Sequence, residues 1–411
     1  MKIIFIGGVF RDERKDEIIK KSKTMPYFAA DTHQWGIIKG LDFHSKQGVK
    51  IINAVHLASF PKYKDIFIKS SEWSHNGISQ DKDLGFINIF GIKHIWRSIV
   101  LIKEVRKAIV KEVDSDIVLL SYGLHVPFLI SAFLSKKVKN KNIKWCCIIP
   151  EIPLFYIGQK GQGKLYNFLK LLDWKLTLKL LNKADMFQLL TKQMADLLKI
   201  EDKKHIVIEG IVNINNENSP LKNNNDNDEE QYKTILYTGT TNIEFGIVSL
   251  LEAFKDIKKP NYRLIICGSG NGNEIISDYM KSDSRITWRG FIPRDEVLKL
   301  QKNVTLLINP RSAGEDFVPY SFPSKTMEYL QSGTPVLMHR LPGIPFDYGK
   351  YILWFKSENP KIMAEQIVEI CEWDKDKRKQ FGNFAKEFVL QNKNELSQGK
   401  KLFDMLASEI N

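Results

Sequence analysis

The chain has 411 residues, of which 43% are hydrophobic and 27% are charged, and it contains 25 glycines, 15 prolines and 4 cysteines. This composition is typical of globular proteins and excludes collagen-like and wholly disordered chains. The length suggests two domains, or three, and two domains of this size can each bury a core without disulfides.

The net charge of +13 is concentrated in the first half of the chain. Residues 1–212 hold 35 Lys and Arg against 21 Asp and Glu, an excess of 14 positive charges, whereas the remainder holds 26 against 27. Such an excess attracts nucleic acid, an acidic membrane surface or a phosphorylated ligand. Nucleic acid is disfavoured, because no recognisable binding motif is present and the aromatic residues are not interleaved with the basic ones.

The sequence carries no obvious export or membrane-spanning segment. No stretch reaches the ~18–20 apolar residues that span a bilayer. The apolar start Met1–Phe10 runs directly into charged Arg11–Lys15 without a cleavage-like site, so we expect no secretion signal. Four cysteines lack metal-ligand or disulfide-framework spacing: Cys146, Cys147, Cys267 and Cys371. We therefore expect a cytoplasmic protein without a bound metal.

Short β-rich runs alternate with helical patterns along the whole chain, which favours parallel sheets with crossover helices. The predicted strands are Lys2–Ile6, Val49–Ala54, Ile117–Ser121, Lys144–Ile149, Phe187–Leu190, Thr234–Tyr237, Arg263–Cys267, Ile286–Trp288, Thr305–Ile308, Pro335–Met338 and Tyr351–Leu353. The clearest helices are Gly246–Ile257, Pro293–Gln301 and Ser324–Ser332.

A nearly apolar-free run divides these patterns into two groups. Residues 213–231 are too polar to fold by themselves and predict a linker or long surface loop. We therefore expect an N-terminal α/β domain at 1–212, a C-terminal α/β domain at 232–390 and a final helix at 391–411. Packing of that helix on the first domain is left open.

The most informative segment is Asn309–Pro342, a strand, a loop and a helix that opens near Ser324. Ser324 is a candidate N-cap, and the free amides and positive end of the helix suit a diphosphate. Arg311 and Lys325 would add charge. Glu328, one turn further on, would accept hydrogen bonds from ribose hydroxyls.

This segment resembles the donor-binding segment of family 4 glycosyltransferases, in the version found in bacterial capsule and exopolysaccharide enzymes. The matching residues are Phe322-Pro323-Ser324-Lys325-x-x-Glu328-Tyr329 and Gly333-Thr334-Pro335-Val336. Further pieces are similar to the same family: Tyr237-Thr238-Gly239 with Gly246, Cys267-Gly268-Ser269-Gly270, and Arg289-Gly290-Phe291-Ile292-Pro293.

The resemblance implies a GT-B fold, in which two Rossmann-like domains face a central cleft. It also implies a retaining, metal-independent glycosyltransferase that moves a sugar from a nucleotide-sugar to a lipid-linked saccharide acceptor in cell-surface polysaccharide biosynthesis. The donor-binding residues are then Gly239, Thr240, Gly268, Arg289, Phe291, Glu315, Ser324, Lys325 and Glu328. The catalytic candidates are Glu151, His125, Arg311 and Lys325.

The sequence departs from the family pattern at three places. Thr240 and Phe245 stand where the family carries an Arg and a Lys, and Tyr320 stands where it carries the first Glu of its E-x7-E signature. Arg311 and Lys325 are then the nearest sources of phosphate charge, and Glu315 with Asp316 would contact the donor sugar. These departures leave a catalytically silent relative, acting as a binding subunit, as the alternative function.

Acceptor residues are expected at the ends of first-half strands. Gly7-Gly8 allows close backbone approach to a ligand or simply makes a tight turn. His33 and Gln34 offer hydrogen bonds to an acceptor sugar in a segment where Asp31 could equally cap a helix. His125 and Glu151 each follow a strand, and for both an ordinary structural role is equally open.

The helical segment Lys164–Lys183 has two apolar sides. The first stripe is Leu165, Phe168, Leu169, Leu172, Leu176 and Leu180, and the second is Leu171, Trp174, Leu178 and Leu181. One stripe must cover the domain core. The second is either buried against another helix or rests in an anionic bilayer interface, which would make the protein peripheral on the inner face of the plasma membrane.

Overall fold

A computed structural model describes residues 1–24, 26–113, 116–156, 163–214 and 231–410. The chain divides into two compact units, Met1–Ile211 with Glu395–Asn411, and Val212–Asn394. The predicted linker at 213–231 lies almost wholly outside the described residues.

The first unit is built on a sheet in which the described strands run in the order β10-β9-β8-β7-β1-β2-β5-β4. All neighbours are parallel except β4 and β5. The strands are β1 (Lys2–Gly7), β2 (Val49–Asn53), β3 (Phe67–Ile68), β4 (Ser71–Trp73), β5 (Asp81–Asp83), β6 (Phe86–Ile87), β7 (Asp116–Tyr122), β8 (Asn142–Ile149), β9 (Met186–Leu189) and β10 (Lys204–Val207). The helices are α1 (Lys15–Lys21), α2 (Phe28–His44), α3 (Ile92–Lys111), α4 (Val126–Ser135), α5 (Lys164–Leu181) and α6 (Gln193–Leu198).

The second unit has a parallel sheet whose described strands run in the order β13-β12-β11-β14-β15-β16. The strands are β11 (Lys233–Thr238), β12 (Tyr262–Cys267), β13 (Ile286–Gly290), β14 (Leu306–Asn309), β15 (Val336–Met338) and β16 (Leu353–Trp354). The helices are α7 (Ile247–Asp256), α8 (Asn273–Ser282), α9 (Arg294–Lys302), α10 (Lys325–Ser332), α11 (Pro360–Cys371) and α12 (Lys375–Asn392). This is the Rossmann strand order, with the switch point between β11 and β14.

The predicted α/β class with parallel sheets is confirmed in both units. The central strands are continuous apolar runs because crossover helices cover both faces of the sheet. The last predicted strand lies two residues late, at Leu353–Trp354. The short strands β3 to β6 and strand β10 were not predicted, since two- to four-residue segments carry little periodicity.

The final helix, α13 (Glu395–Ala407), packs against α2 within the first unit. The two helices touch at glycines: a Cβ on Gly40 would lie 2.1 Å from the carbonyl oxygen of Glu395 and 2.8 Å from the Cα of Gly399. His44 hydrogen-bonds the carbonyl of Leu396 at 2.9 Å. The two backbones can approach this closely only because glycine has no side chain.

Helix α5 buries less than the sequence predicts. Its core-facing residues are Thr177, Leu180 and Leu181, all in its last turns. The first stripe is exposed from Leu165 to Leu176, and Phe168 is 57% exposed. This part of the stripe therefore does not cover the domain core, which the sequence predicts for one of the two stripes. Trp174 and Leu178 of the second stripe are half-buried. None of the described helices combines the length and apolar character that a membrane crossing requires.

Candidate active site

The carboxyl ends of β11 and β14 meet at the switch point of the second unit. Open α/β sheets bind ligands at this position, because the loops from the two strands leave in opposite directions and open a crevice. Gly239 and Thr240 follow β11, and Pro310 and Arg311 follow β14. The backbone oxygen of Thr240 accepts a hydrogen bond from the hydroxyl of Tyr237 at 2.7 Å.

Two glycines allow the loops around this crevice to pack on each other. Gly268 has φ +136°, and a Cβ there would lie 1.7 Å from the carbonyl oxygen of Gly239. Gly246 has φ +81°, and its Cβ would lie 2.2 Å from the carbonyl oxygen of Pro310. L side chains rarely adopt either conformation, so both positions require glycine.

Arg311 is 9% exposed and is held on three sides. Its guanidinium carbon lies 5.1 Å from the ring centroid of Phe245 and 4.6 Å from that of Phe317. One terminal nitrogen donates to the hydroxyl of Ser321 at 2.8 Å. Phe245, which replaces the family's Lys, is therefore a stacking partner that orients Arg311.

Helix α10 begins beside this arginine, and its first turn carries an ion-pair network. Lys325 Nζ lies 2.8 Å from one carboxylate oxygen of Glu328, and Arg294 lies 3.3 Å from the other. The Glu328 carboxylate thus already has two cationic partners, whereas the sequence predicts it as a ribose acceptor. Both cations remain partly exposed, so an entering diphosphate has access to them.

The predicted N-cap position of Ser324 is confirmed, but its side chain does not cap the helix. Ser324 occupies the N-cap position, but its backbone is helical at φ −55° and its side chain makes no capping hydrogen bond. Capping requires extended backbone so that the side-chain oxygen can reach the second or third amide. Ser324 is exposed, and the second amide of the helix, that of Thr326, donates to the carbonyl of Pro323 at 2.9 Å.

Buried Tyr329 fixes α10 to the end of β11. The amide of Thr238 donates to the Tyr329 hydroxyl at 2.7 Å, and Gln301 of α9 donates to the hydroxyl of Thr238 at 3.1 Å. Helix α10 is therefore tied to the carboxyl end of β11 through Tyr329, and α9 is tied to the same residue of β11 through Gln301.

The other predicted donor residues lie on loops at the same edge. Arg289 is paired with Glu296 at 3.0 Å, and Phe291 is fully accessible after β13. Glu315 is exposed in the β14–α10 loop, where its backbone oxygen accepts from the amide of Val318. Arg289, Phe291 and Glu315 are thus available to a ligand.

In the first unit the switch point lies between β1 and β7, and protein atoms fill the space that its glycines leave. A Cβ on Gly7 would lie 2.3 Å from the ring of Phe5, and one on Gly8 would lie 3.0 Å from His56. Gln34 is buried, and its side-chain oxygen accepts from the amide of Gly8 at 2.9 Å. We therefore correct two expectations: Gln34 positions the Gly7-Gly8 turn, and that turn makes room for the protein's own side chains.

His33 and Glu151 converge on Tyr122 at the end of β7. Nδ1 of His33 lies 3.0 Å from the Tyr122 hydroxyl, and burial lowers the pKa of His33 to about 4. Burial raises the pKa of Tyr122 far above its usual value, and the nearby carboxylate of Glu151 adds to this rise. The pKa of Glu151 is itself raised by burial, although its side chain remains accessible.

His125 belongs to a different group of side chains. Its ring centroid lies 5.3 Å from that of His94, 6.1 Å from that of His56 and 4.8 Å from that of Phe128. Burial, with nearby Arg97, lowers the pKa of His125 well below its usual value.

The chain is similar to a known protein family and to several solved structures. Residues 219–388, about two fifths of the chain, match the family described as glycosyl transferases group 1. Anabaena HepE in complex with UDP is similar over 99% of this chain and 100% of that chain, at 13% identity and a TM-score of 0.63. A search of curated proteins returned no match.

Two further solved structures are similar over nearly the full length. Trehalose-6-phosphate synthase, described in a study of glycosyl transfer with retention, shares 8% identity over 99% of both chains at a TM-score of 0.65. The lipopolysaccharide outer core galactosyltransferase WaaB shares 14% identity over 100% of both chains at a TM-score of 0.59. The chain has the GT-B fold, and its second unit carries the match to glycosyl transferases group 1.

Sequence reasoning missed three residues at this candidate site of the second unit: Arg294, Phe317 and Tyr329 in its tethering role. Arg294 opens α9 directly after the Arg289–Pro293 motif, a position from which it reaches Glu328. That adjacency was the only available indication in the sequence. Phe317 and the hydroxyl of Tyr329 act across distances of 72 and 91 residues from their partners Phe245 and Thr238, which no local pattern reports.

Proposed function

We propose that this protein is a retaining hexosyltransferase of the family 4 type that moves a sugar from a nucleotide-sugar to a lipid-linked saccharide. Its place would be capsule or exopolysaccharide assembly, on the cytoplasmic face of the plasma membrane. The observation that carries the proposal is the start of α10 at the Rossmann switch point, where Lys325 and Arg294 share Glu328 and Arg311 donates to Ser321 in the loop before the helix.

The donor half of the proposal follows from charge. When the sugar leaves its nucleotide, negative charge builds on the diphosphate, and pre-positioned cations and helix amides stabilise it. Lys325 and Arg294 would exchange the Glu328 carboxylate for phosphate oxygens, while Arg311 is held by its two rings. These protein cations would stabilise the leaving diphosphate without a metal ion. The UDP complex of similarly folded HepE supports a nucleotide diphosphate as the ligand.

The acceptor half rests on the group around Tyr122. Glu151, with its raised pKa, and His33 supply hydrogen-bonding groups at the carboxyl edge of the first sheet, where an acceptor hydroxyl would lie. Retention is supported by the similarly folded trehalose-6-phosphate synthase, and a cell-surface saccharide by the galactosyltransferase WaaB.

The lipid-linked character of the acceptor is supported by helix α5. Its exposed stripe contains Leu165, Phe168, Leu169, Leu172 and Leu176. The same helix carries four lysines and one aspartate, within a half of the chain that has an excess of 14 positive charges. Apolar side chains beside lysines suit the interface of an anionic bilayer.

Thermal-shift screening with a panel of nucleotide-sugars, followed by transfer to a lipid-linked saccharide, tests the donor and acceptor halves. A bound donor should raise the melting temperature by mass action. EDTA should leave transfer unchanged. The proposal is wrong if no nucleotide-sugar stabilises the protein or is turned over.

Flotation with liposomes tests the proposed contact of α5 with an anionic membrane. We expect the protein to float with anionic liposomes at low salt, and a Phe168→Ser/Leu172→Ser variant to stay at the bottom of the gradient. Phe346→Ser removes an exposed aromatic from the near-neutral half and serves as the control. Equal flotation of both variants would exclude α5 as the contact.

A further inference from the structure

A second cationic group lies in the first unit, outside the Tyr122 group. It consists of His56 after β2, Lys93, His94 and Arg97 in the first turns of α3, and His125 just before α4. The three histidine rings contact one another through His125. We call these five residues the histidine–lysine cluster.

The two strong cations of the cluster are buried without a counterion. Lys93 is 6% exposed and Arg97 is 2% exposed. Lys93 donates to the carbonyl of Leu57 at 2.7 Å, and Arg97 donates to the carbonyls of Ala54 and Val55. Within the described parts of the chain, neither has a carboxylate partner. Buried cations are ordinarily paired with an anion, because desolvation without one is costly.

Burial is the main cause that lowers the pKa values of the cluster, and the neighbouring cations add to it. Burial, with repulsion from Arg97, lowers the pKa of Lys93 to about 8, and burial lowers that of Arg97 to about 9. Burial and the same two cations lower the pKa of His56 to about 3 and that of His94 to about 4. Lys170 of α5 adds to the effect at His94, so α5 lies within electrostatic range of the cluster.

Two helix N-termini add to the positive potential. Helix α3 has 20 residues and α4 has 10, and neither has an acidic residue in its first turn or a side-chain N-cap. Their positive ends are therefore uncompensated, and they meet where His94 contacts His125.

Two buried nitrogens of the cluster lack partners. Nε of Arg97 and Nε2 of His125 are inaccessible and make no hydrogen bond. His56 and His94, by contrast, each keep part of their surface accessible and open the cluster to solvent. An anion could therefore enter at these two rings, above the buried cations.

A row of apolar residues begins at Ile92, the residue before Lys93, and runs along the solvent-facing side of α3. Ile92, Ile95, Trp96 and Ile99 of α3 are all exposed. A ligand with an anionic group and an apolar chain would match both parts.

We propose that the histidine–lysine cluster binds the phosphoryl group of an amphiphilic phosphate, with its alkyl chain along the exposed face of α3. This rests on the proposed function in one respect, that the amphiphile is the lipid part of the acceptor. His56 and His94 contact the phosphate oxygens, and Lys93 and Arg97 stabilise the charge from beneath.

Phosphorus NMR titration of the full chain with decyl phosphate, below its micelle concentration, tests the site. We expect saturable binding that weakens at least tenfold in His56→Ala/His94→Ala and in Lys93→Met. The matched controls are His205→Ala, at the opposite edge of the sheet, and Lys103→Met, on the exposed side of α3. Both should bind within twofold of the wild type. The double histidine variant replaces partly accessible side chains, so it answers the question even if Lys93→Met fails to fold.

Inorganic phosphate and decyl maltoside separate the two parts of the ligand. Weak binding of inorganic phosphate and none of decyl maltoside at the cluster supports an amphiphilic phosphate. Equal binding of inorganic and decyl phosphate would overturn the apolar part and indicate free phosphate. Absence of decyl phosphate binding, or equal binding by the wild type and both test variants, would overturn the site.

Nucleotide-sugar binding and transfer, measured on the same preparations, distinguish this inference from the proposed function. A wild type that transfers sugar but does not bind decyl phosphate contradicts the inference alone. A wild type that binds decyl phosphate through the cluster but neither binds nor turns over any nucleotide-sugar contradicts the proposed function alone.

Discussion

The guanidinium of Arg311 stacks on the ring of Phe245, 5.1 Å from its centroid. Family resemblance places a lysine at Phe245, and a lysine there would set a second positive charge beside Arg311. The aromatic ring instead attracts the guanidinium and restricts its motion. The departure from the family pattern therefore lowers the charge of the donor site while fixing the arginine that remains.

Replacement of Arg311 by lysine should lower kcat/KM at least tenfold, about 1.4 kcal/mol of transition-state stabilisation. Lysine keeps the charge, but it lacks the planar guanidinium that contacts the rings of Phe245 and Phe317 while donating to Ser321. Steady-state kinetics with the identified donor measure the effect. Arg263→Lys is the control, since Arg263 stacks on Tyr232 at 4.2 Å at the amino end of β12. Similar kinetics for both variants would remove Arg311 from the site.

Lys325→Ala and Glu328→Ala should each lower turnover or donor affinity at least tenfold, about 1.4 kcal/mol. The first removes a phosphate partner, and the second removes the carboxylate that positions Lys325 and Arg294 and that would accept hydrogen bonds from ribose hydroxyls. Lys281→Ala breaks an exposed pair of the same spacing with Asp278 on α8 and should have no effect on kinetics. Near wild-type kinetics in both test variants would contradict the assignment of the donor site.

Gly268→Ala should destabilise the second unit by at least about 2 kcal/mol, because its φ is +136° and a Cβ would overlap the carbonyl oxygen of Gly239. Urea unfolding followed by circular dichroism measures the change. Gly349→Ala is the control, since a Cβ there meets no atom within 4 Å. Equal midpoints would show that the loops after β11 and β12 are free to separate.

His75 should make the stability of the first unit depend on alkaline pH. Burial alone would lower its pKa, but hydrogen bonds of 2.6 Å to both Asp42 and Asp81 outweigh it and raise the pKa to about 9. The stabilisation is complete below the unfolded value near 6.5 and is lost as the pH rises towards 9, on the order of 3 kcal/mol. The lowered pKa of Asp81 acts only at acid pH.

Urea midpoints measured by tryptophan fluorescence between pH 6 and 9.5 test this dependence. Trp35 and Trp73 lie 6.1 and 6.2 Å from the His75 ring and report locally. We expect the midpoint of the wild type to fall across this range and that of His75→Gln to change much less. Parallel curves for the two proteins would contradict the assignment.

The elements of the donor side could be predicted from the sequence, and several of its contacts could not. The strand ending at Asn309 and the helix up to Ser332 follow from hydrophobic periodicity and from Gly333, which ends the helix with φ +80°. The capping role of Ser324 was wrong, because it depends on one backbone angle. The buried role of Gln34 was missed, because its partner Gly8 is 26 residues away.

By itself the sequence determined two α/β sheets and a strand, loop and helix suited to a diphosphate, since these depend on residues within a few positions of one another. Tertiary structure alone decided that Arg311 lies between two phenylalanines, that His125 joins His56 and His94, and that the first stripe of α5 is exposed. These contacts join segments dozens of residues apart, and strand order and helix packing bring them together. The composition shows the charge excess of the first half but not where its charges lie. The structure shows that two of them, Lys93 and Arg97, are buried without a counterion.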